Sequence, residues 1–142
     1  MHQQNNSPAI ASRILYTMIR VGDLERSIAF YSKALGMREL KRETFTEGRF
    51  TLVFIGYEDS KTSIELTYNW DEDKYQHGTG YGHIALEVED IYAASARLQN
   101  MGINVTRAPG PMTYAVDETG LKEVIAFIKD PDGYAIELIE KH

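Results

Sequence analysis

The chain has 142 residues, with 15 lysines and arginines against 21 aspartates and glutamates, which gives a net charge of −6, and it contains no cysteine. This length suits one domain of ordinary size and excludes small peptide-like scaffolds. The absence of cysteine excludes disulfide frameworks, thiolate-ligated zinc, iron–sulfur clusters and a thiol nucleophile, and the acidic balance argues against a nucleic-acid partner.

The first 13 residues are polar and are predicted to form a flexible N-terminal tail ahead of a single domain at residues 14–142. They lack the basic start and the apolar stretch of a secretion signal. No later segment approaches the roughly 18 to 20 consecutive apolar residues that a membrane span needs. We therefore expect a cytoplasmic protein without a membrane partner.

The first predicted module has the order βαβββ. Its opening strand, residues 14–21, is rich in β-branched and large apolar side chains. The helix that follows has Asp23 as a suitable N-cap, and Gly36 is in position to end it with a left-handed residue. Three short extended segments complete the module, at residues 37–45, 50–57 and 63–68.

The second half of the chain repeats this order, and the repeat is the most informative feature of the sequence. Residues 83–90 match residues 16–23 at a constant offset of 67, and a second helix, 91–101, ends at Gly102. Strands are then predicted at residues 104–106, 124–128 and 135–139, with a plain hairpin turn at residues 130–133. The chain is therefore predicted to have an α+β fold of two βαβββ modules, at residues 14–70 and 81–142.

Side chains alternate between the two faces of a strand, which puts four candidate functional groups on equivalent faces. Tyr16 and Glu65 belong to predicted strands of module one, and His83 and Glu137 belong to predicted strands of module two. If a pseudo-twofold axis relates the modules, Tyr16 corresponds to His83 and Glu65 corresponds to Glu137. The four groups then converge on one cleft.

Two carboxylates and an imidazole form a ligand set that suits octahedral nickel, cobalt, zinc or manganese. Taken singly, each has a structural explanation, because a glutamate on a half-exposed strand faces solvent and a histidine is commonly hydrogen-bonded. Their joint placement favours a metal site. Arg20 and Asn69 are predicted on the same concave face, where a guanidinium can grip a carboxylate and an amide offers a donor and an acceptor.

Several motifs, taken in order, resemble the glyoxalase I (lactoylglutathione lyase) family of the short bacterial type, within the vicinal-oxygen-chelate superfamily. The motifs are MIRVGDL at residues 18–24, ELTYNW at 65–70, YGHIA at 81–85 and DPDGYAIEL at 130–138. The resemblance spans about residues 14 to 140. It implies the glyoxalase/bleomycin-resistance-like fold, with cupped mixed sheets paired across a homodimer.

The resemblance also implies an activity, a carbon–sulfur lyase reaction that detoxifies methylglyoxal. The family isomerises the hemithioacetal of methylglyoxal and glutathione to S-lactoylglutathione with the help of a divalent metal. Short forms are usually activated by nickel or cobalt, so nickel is the expected metal, with cobalt or zinc as alternatives.

The positions of the motifs imply which residues of this chain correspond to the family's site residues. The implied metal ligands, contributed by both chains of the homodimer at its interface, are Tyr16, Glu65, His83 and Glu137. Glu137 is the implied catalytic base, with Glu65 as its partner. The implied glutathione contacts are Arg20 and Asn69 at the γ-glutamyl end and Arg107 and Lys122 near the glycine carboxylate.

Two features depart from the family pattern. Tyr16 stands where the family normally has histidine, or glutamine in zinc-type members, and a phenol with an ordinary pKa near 10 is a poor neutral ligand. Tyr16 therefore ligates the metal, blocks the site or abolishes it, and a catalytically silent or ligand-sequestering relative stays an alternative. An iron-dependent ring-cleaving dioxygenase would need two histidines, and this set lacks one. The second departure is a longer loop at residues 112–123, which can reshape the thiol pocket.

Overall fold

The computed structural model describes residues 8–142 and contains the two predicted βαβββ modules. Module one consists of β1 (Tyr16–Arg20), α1 (Leu24–Lys33), β2 (Arg38–Phe45), β3 (Phe50–Gly56) and β4 (Ser63–Asn69). Module two consists of β5 (Ile84–Val88), α2 (Ile91–Asn100), β6 (Val105–Pro111), β7 (Val124–Lys129) and β8 (Ala135–Glu140). Residues 8–15 belong to none of these elements, and the start of the predicted tail lies outside the described residues.

Each module forms one four-stranded mixed sheet. The strand order is β1–β4–β3–β2 in the first sheet and β5–β8–β7–β6 in the second. In both sheets the first strand of the module pairs in parallel with the last one, and the other pairs are antiparallel. The predicted fold class is confirmed, and β1 and β5 are edge strands of their sheets within the described chain.

Side-chain caps begin both helices, at the predicted Asp23 in module one and at Asp90, its equivalent in the repeat, in module two. Asp23 accepts a hydrogen bond from the Arg26 backbone N–H at 3.1 Å, and Asp90 accepts from two backbone N–H groups of α2. These bonds satisfy donors that have no partner in the first helical turn. The first helix ends ahead of Gly36, whose φ of +73° is one that side-chain-bearing residues rarely adopt.

The helices and one face of each sheet share a single apolar core. Ile19 and Val21 are 4% and 0% exposed, whereas Tyr16 and Met18, which alternate with them, are 43% and 38% exposed. Ile19 and Val21 thus face the core as predicted, whereas Leu15 and Thr17, which strict alternation places on the same face, are exposed. The face that carries Tyr16 is therefore left open for functional side chains.

The turn between β7 and β8 joins the two modules as well as reversing the chain. Asp132 accepts hydrogen bonds from the Gly22 backbone N–H at 2.9 Å and from the Ser27 hydroxyl at 3.1 Å. The hydroxyl of Tyr31, on α1, donates to Asp130 at 2.6 Å. The prediction of a plain hairpin turn is incomplete, because the carboxylates of this turn bind the start and the buried side of α1.

Burial controls the electrostatics of this contact. Burial of the Asp130 carboxyl group away from water raises its pKa, and the hydrogen bond from Tyr31 opposes that rise. The same loss of solvent, with the negative charge of Asp130 nearby, raises the pKa of Tyr31. Tyr31 is therefore protonated at neutral pH and donates its hydrogen bond to the turn.

The strand β6 extends beyond the three residues that were predicted for it. It reaches Pro111 because two register shifts against β7 accommodate residues that ordinarily interrupt strands. The Arg107 guanidinium donates to the carbonyl oxygens of Gly110 and Ile125, each at 2.9 Å. These bonds satisfy carbonyl groups where the ladder is irregular.

Residues 112–123, the hairpin extension, connect β6 to β7. Backbone hydrogen bonds close it, from Met112 to the Glu123 carbonyl at 2.9 Å and from Val116 to the Leu121 carbonyl at 2.8 Å. Its apolar side chains Tyr114 and Leu121 are exposed. Along residues 8–142 no helix combines the length and the apolar composition needed to cross a membrane.

Candidate functional site

The open face of module one carries a carboxylate beside a phenol. Glu65 lies in the middle of β4 and is only 5% exposed, and its Oε1 accepts a hydrogen bond from the Thr67 hydroxyl at 2.7 Å. Phe54 faces Glu65 across the β3–β4 pair, and the Tyr16 ring packs edge-on against Phe54 with centroids 5.1 Å apart. The negative charge of Glu65 raises the pKa of Tyr16. The Tyr16 hydroxyl is therefore neutral at neutral pH in the unliganded chain.

The corresponding face of module two carries a carboxylate beside an imidazole. The Nε2 atom of His83 lies 3.1 Å from Oε1 of Glu137. Phe127 faces Glu137 across the β7–β8 pair, and the His83 ring packs edge-on against Phe127 with centroids 5.3 Å apart. The side chain of Glu137 is largely buried, and that of His83 is partly exposed.

The two modules thus build the same three-residue arrangement. In each, a glutamate on the last strand faces a phenylalanine on the neighbouring strand, and an aromatic ring at the start of the module packs on that phenylalanine. The interplanar angles of the ring pairs are 83° and 84°. The structure therefore bears out the correspondence of Tyr16 with His83 and of Glu65 with Glu137, which the sequence repeat predicted.

One chain does not assemble these groups into a single cluster. Across the described part of the chain, no three His, Asp or Glu side chains lie close enough together to hold a metal ion. Each module instead supplies one pair, Tyr16 with Glu65 or His83 with Glu137. Oxygen and imidazole nitrogen donors of this kind fit a divalent cation as half of its ligand set, and a complete set needs two such halves facing each other.

The predicted substrate contacts Arg20 and Asn69 lie at the ends of β1 and β4. The Arg20 guanidinium has no hydrogen-bonding or ionic partner among residues 8–142, while its backbone carbonyl accepts a bond from the Tyr134 hydroxyl at 2.7 Å. The Asn69 amide donates from Nδ2 to the Tyr75 hydroxyl at 3.2 Å. Sequence reasoning did not identify Tyr75, which carries no motif and lies in the segment between the modules.

Arg20 lines a cavity of about 240 Å³ between the end of β1 and the start of β8. Its lining is formed by Met18, Ile19, Arg20, Tyr75, Gln76, His77, Tyr81 and Tyr134. His77 stacks on Tyr134 with centroids 4.0 Å apart and planes 7° apart. His77 therefore belongs to the aromatic lining of this cavity.

The other two predicted cations have different surroundings. The Arg107 guanidinium donates to four backbone carbonyl oxygens on and around the end of β6, so it has a structural role that the sequence did not indicate. Lys122 is exposed in the hairpin extension.

Comparison with known proteins gives a consistent result. Residues 13–138 match the Glyoxalase/Bleomycin resistance protein/Dioxygenase superfamily. The lactoylglutathione lyase of Haemophilus influenzae is 55% identical over 130 residues, which cover 90% of this chain and 92% of that protein. Among solved structures, a Leishmania major glyoxalase I described as trypanothione-dependent has 42% identity and a TM-score of 0.75, with coverage of 92% of this chain and 87% of that one. Zea mays glyoxalase I has 40% identity and a TM-score of 0.80; the match covers 91% of this chain and 44% of the maize chain.

Proposed function

Because the chain belongs to the Glyoxalase/Bleomycin resistance protein/Dioxygenase superfamily, we infer that it is a lactoylglutathione lyase, that is, a glyoxalase I enzyme. It isomerises the hemithioacetal of methylglyoxal and glutathione to S-lactoylglutathione. Relatives about half identical over nine-tenths of the chain bear this name and support the inference. They do not support the alternative of a silent or ligand-sequestering relative.

The observation that carries the site assignment is the repeated arrangement of the two modules. A carboxylate and a neighbouring donor occupy equivalent positions in each, which supports a shared cation held by Tyr16, Glu65, His83 and Glu137. Since each module supplies half of such a set, we propose that the active site forms between module one of one chain and module two of a second copy. The protein would then be a homodimer with two equivalent sites.

The donor set contains oxygen and nitrogen atoms and no sulfur, so a divalent transition metal suits it. Nickel is our first choice, with cobalt or zinc as alternatives. When bound, such a cation acts as a Lewis acid that stabilises negative charge developing on the substrate oxygens. The chain's own residues must then bind the substrate and move a proton between neighbouring carbon atoms.

The two carboxylates differ in how firmly they are held. Glu65 is buried and accepts a hydrogen bond from Thr67, which fixes its orientation. Within the described residues, the only side-chain partner of Glu137 is the imidazole of His83. A carboxylate that can move is the better general base, so we assign to Glu137 the removal of the proton from the carbon beside the carbonyl. Glu65 is its partner on the opposite side of the site.

Substrate binding is assigned to Arg20 and Asn69, at the ends of β1 and β4, and to the cations Arg107 and Lys122. The guanidinium of Arg20, which has no partner among residues 8–142, suits the α-carboxylate of the γ-glutamyl unit, and the amide of Asn69, at the end of the adjacent strand β4, is assigned to the same unit. Arg107 and Lys122 stay candidates for the glycine carboxylate, although Arg107 already donates to backbone carbonyls. We also propose a cytoplasmic location, where glutathione is kept reduced.

The test is a reconstitution assay. Purified protein is stripped with a chelator, reloaded separately with nickel, cobalt or zinc, analysed for bound metal, and assayed with the methylglyoxal hemithioacetals of glutathione and of trypanothione. We expect metal-dependent turnover that is highest with nickel or cobalt and with the glutathione adduct. Absence of turnover with every metal and both thiols, in protein that binds metal, would overturn the proposed function.

A further inference from the structure

The segment that links the two modules folds back against the end of β1. Glu72 donates from its backbone N–H to the Asn69 carbonyl at 3.0 Å, which turns the chain after β4. The backbone of Asp73 then packs directly on Gly22: a Cβ atom added at Gly22 would lie 2.1 Å from the Asp73 carbonyl oxygen. Only glycine permits this approach, and the approach brings the next residues of the linker beside Arg20.

Tyr75, in this linker, connects the two predicted contacts for the γ-glutamyl end. Its ring lines the same cavity as Arg20, and its hydroxyl accepts the hydrogen bond from Nδ2 of Asn69 at 3.2 Å. This bond uses one of the two N–H groups of Nδ2 and fixes which way the amide faces, and among residues 8–142 no donor reaches Oδ1, which can accept a hydrogen bond from a ligand. The side chain of Asn69 is therefore oriented by Tyr75.

The charge of the residues that line the cavity suits the α-carboxylate and α-ammonium groups of an α-amino acid. Although the chain has a net charge of −6, none of the residues that line the cavity is acidic, and Arg20 is among them. The hydroxyls of Tyr81 and Tyr134 already donate to backbone carbonyls, so they do not compete for a ligand. A carboxylate at Arg20 with an ammonium group at Oδ1 of Asn69 satisfies both contacts.

We propose that Tyr75 is a positioning residue for the thiol substrate, which holds the Asn69 amide so that Oδ1 accepts from the α-ammonium group of the γ-glutamyl unit while Arg20 binds its α-carboxylate. This inference rests on the proposed function for the identity of the thiol. It adds a residue of the inter-module linker to the recognition of that thiol and makes the α-amino group a determinant of specificity.

Tyr75→Phe removes the hydroxyl and keeps the ring. Loss of one hydrogen bond of ordinary strength predicts a rise in KM for the glutathione hemithioacetal of about 2- to 10-fold, with kcat unchanged. With an analogue of glutathione that lacks the α-amino group, the parent and Tyr75→Phe should have equal KM values. The control is Tyr92→Phe, at an exposed tyrosine of α2, which should alter neither value.

A second variant tests whether Tyr75→Phe acts through Asn69 or by disturbing the structure of the linker. Asn69→Ala should raise KM for the glutathione substrate, and adding Tyr75→Phe to it should produce no further rise. The inference is overturned if Tyr75→Phe raises KM equally for both thiols, lowers kcat alone, or adds fully to Asn69→Ala.

Binding of S-methylglutathione, measured by calorimetry, separates this inference from the proposed function, because binding needs no turnover. A weaker Kd on Tyr75→Phe in a protein that lacks isomerase activity supports the positioning role and overturns only the reaction. Normal turnover with an unchanged Kd and KM on Tyr75→Phe overturns only the positioning role.

Discussion

At the scale of single residues, Tyr16 is the position where the two modules differ in chemistry. Its ring packs on Phe54 in the same way that the His83 ring packs on Phe127, so the backbone and the aromatic support are equivalent. The donor is not equivalent, because Glu65 raises the pKa of the Tyr16 phenol. A neutral phenol is a weaker metal ligand than an imidazole, which predicts a weakened site in module one.

Tyr16→His is therefore expected to increase nickel affinity and turnover, because it supplies a neutral nitrogen donor beside Glu65. Nickel affinity is measured by calorimetric titration, and turnover is measured by the isomerase assay. Tyr92→His, which adds an imidazole at an exposed position of α2, is the matched control and should leave the titration unchanged. An unaltered titration for Tyr16→His would show that residue 16 is outside the coordination shell.

Glu137→Gln addresses the assignment of the base. The amide preserves the shape of the side chain and can still donate or accept one hydrogen bond, but it cannot take up a proton. We expect some metal to be retained and turnover to fall by about 10²- to 10⁴-fold. Elemental analysis and the isomerase assay test this, with Glu118→Gln in the hairpin extension as the control. Near-normal turnover would refute the assignment of Glu137 as base.

At the scale of elements, the contact between α1 and the β7–β8 turn holds the modules in a fixed relation. Asp132 binds the backbone of Gly22 and the hydroxyl of Ser27, at the start of the helix. Tyr31 reaches Asp130 from the buried side of the same helix. Gly22 also contacts the linker that carries Tyr75, so one glycine touches both the turn and the segment that lines the predicted substrate pocket.

Tyr31→Phe is expected to lower the free energy of unfolding by about 1–3 kcal/mol at neutral pH, since it leaves a buried oxygen of Asp130 without its donor. Urea unfolding measures the loss, and Tyr92→Phe, at an exposed tyrosine, is the control.

The pH dependence of this loss has a definite sign. Burial raises the pKa of Asp130, so between the ordinary carboxyl value and the raised value the folded state binds more protons than the unfolded state. Stability therefore falls as the pH rises through that window. Removing Tyr31 raises the pKa of Asp130 further and enlarges the fall. The destabilisation by Tyr31→Phe should shrink as the pH is lowered through the carboxyl range, and an equal loss at acidic and neutral pH would contradict this account.

At the scale of the whole molecule, each chain carries two halves of a site that do not meet in one cluster among the described residues. Among the described residues, β1 and β5 are edge strands with no strand paired on their outer sides. A homodimer that joins module one of each chain to module two of the other would complete both sites, and this arrangement can be tested without a structure of the dimer.

Complementation is the sharpest test of a shared site. Glu65→Ala inactivates module one and His83→Ala inactivates module two, so each variant alone should be inactive. If sites form between chains, a heterodimer of the two variants contains one intact site, and random mixing should restore about one quarter of the parental activity. The two variants are mixed, unfolded and refolded together, which should produce that activity. Sites that form within single chains would restore none. The control is Glu65→Ala alone, refolded in the same way at the same total protein concentration.

Much of the fold was predictable because its signals are local. The caps Asp23 and Asp90, the left-handed Gly36 and the alternation along β1 depend on residues close together in the chain. The repeat at a constant offset identified both modules and paired Tyr16 with His83. The strand β6 was underestimated, because its irregular ladder depends on Arg107 bonds to carbonyl groups that local propensity does not indicate.

The sequence alone therefore determined the two modules, their faces and the residue types of the candidate site. How those modules contact each other depends on the folded chain. Tyr31 and Asp130 are 99 residues apart, and their hydrogen bond exists because the shared apolar core brings α1 beside the turn between β7 and β8. Tyr75 carries no pattern of its own, and it reaches Asn69 because the linker folds back over Gly22. Such contacts follow from the packing of distant segments, and no periodicity along the chain encodes them.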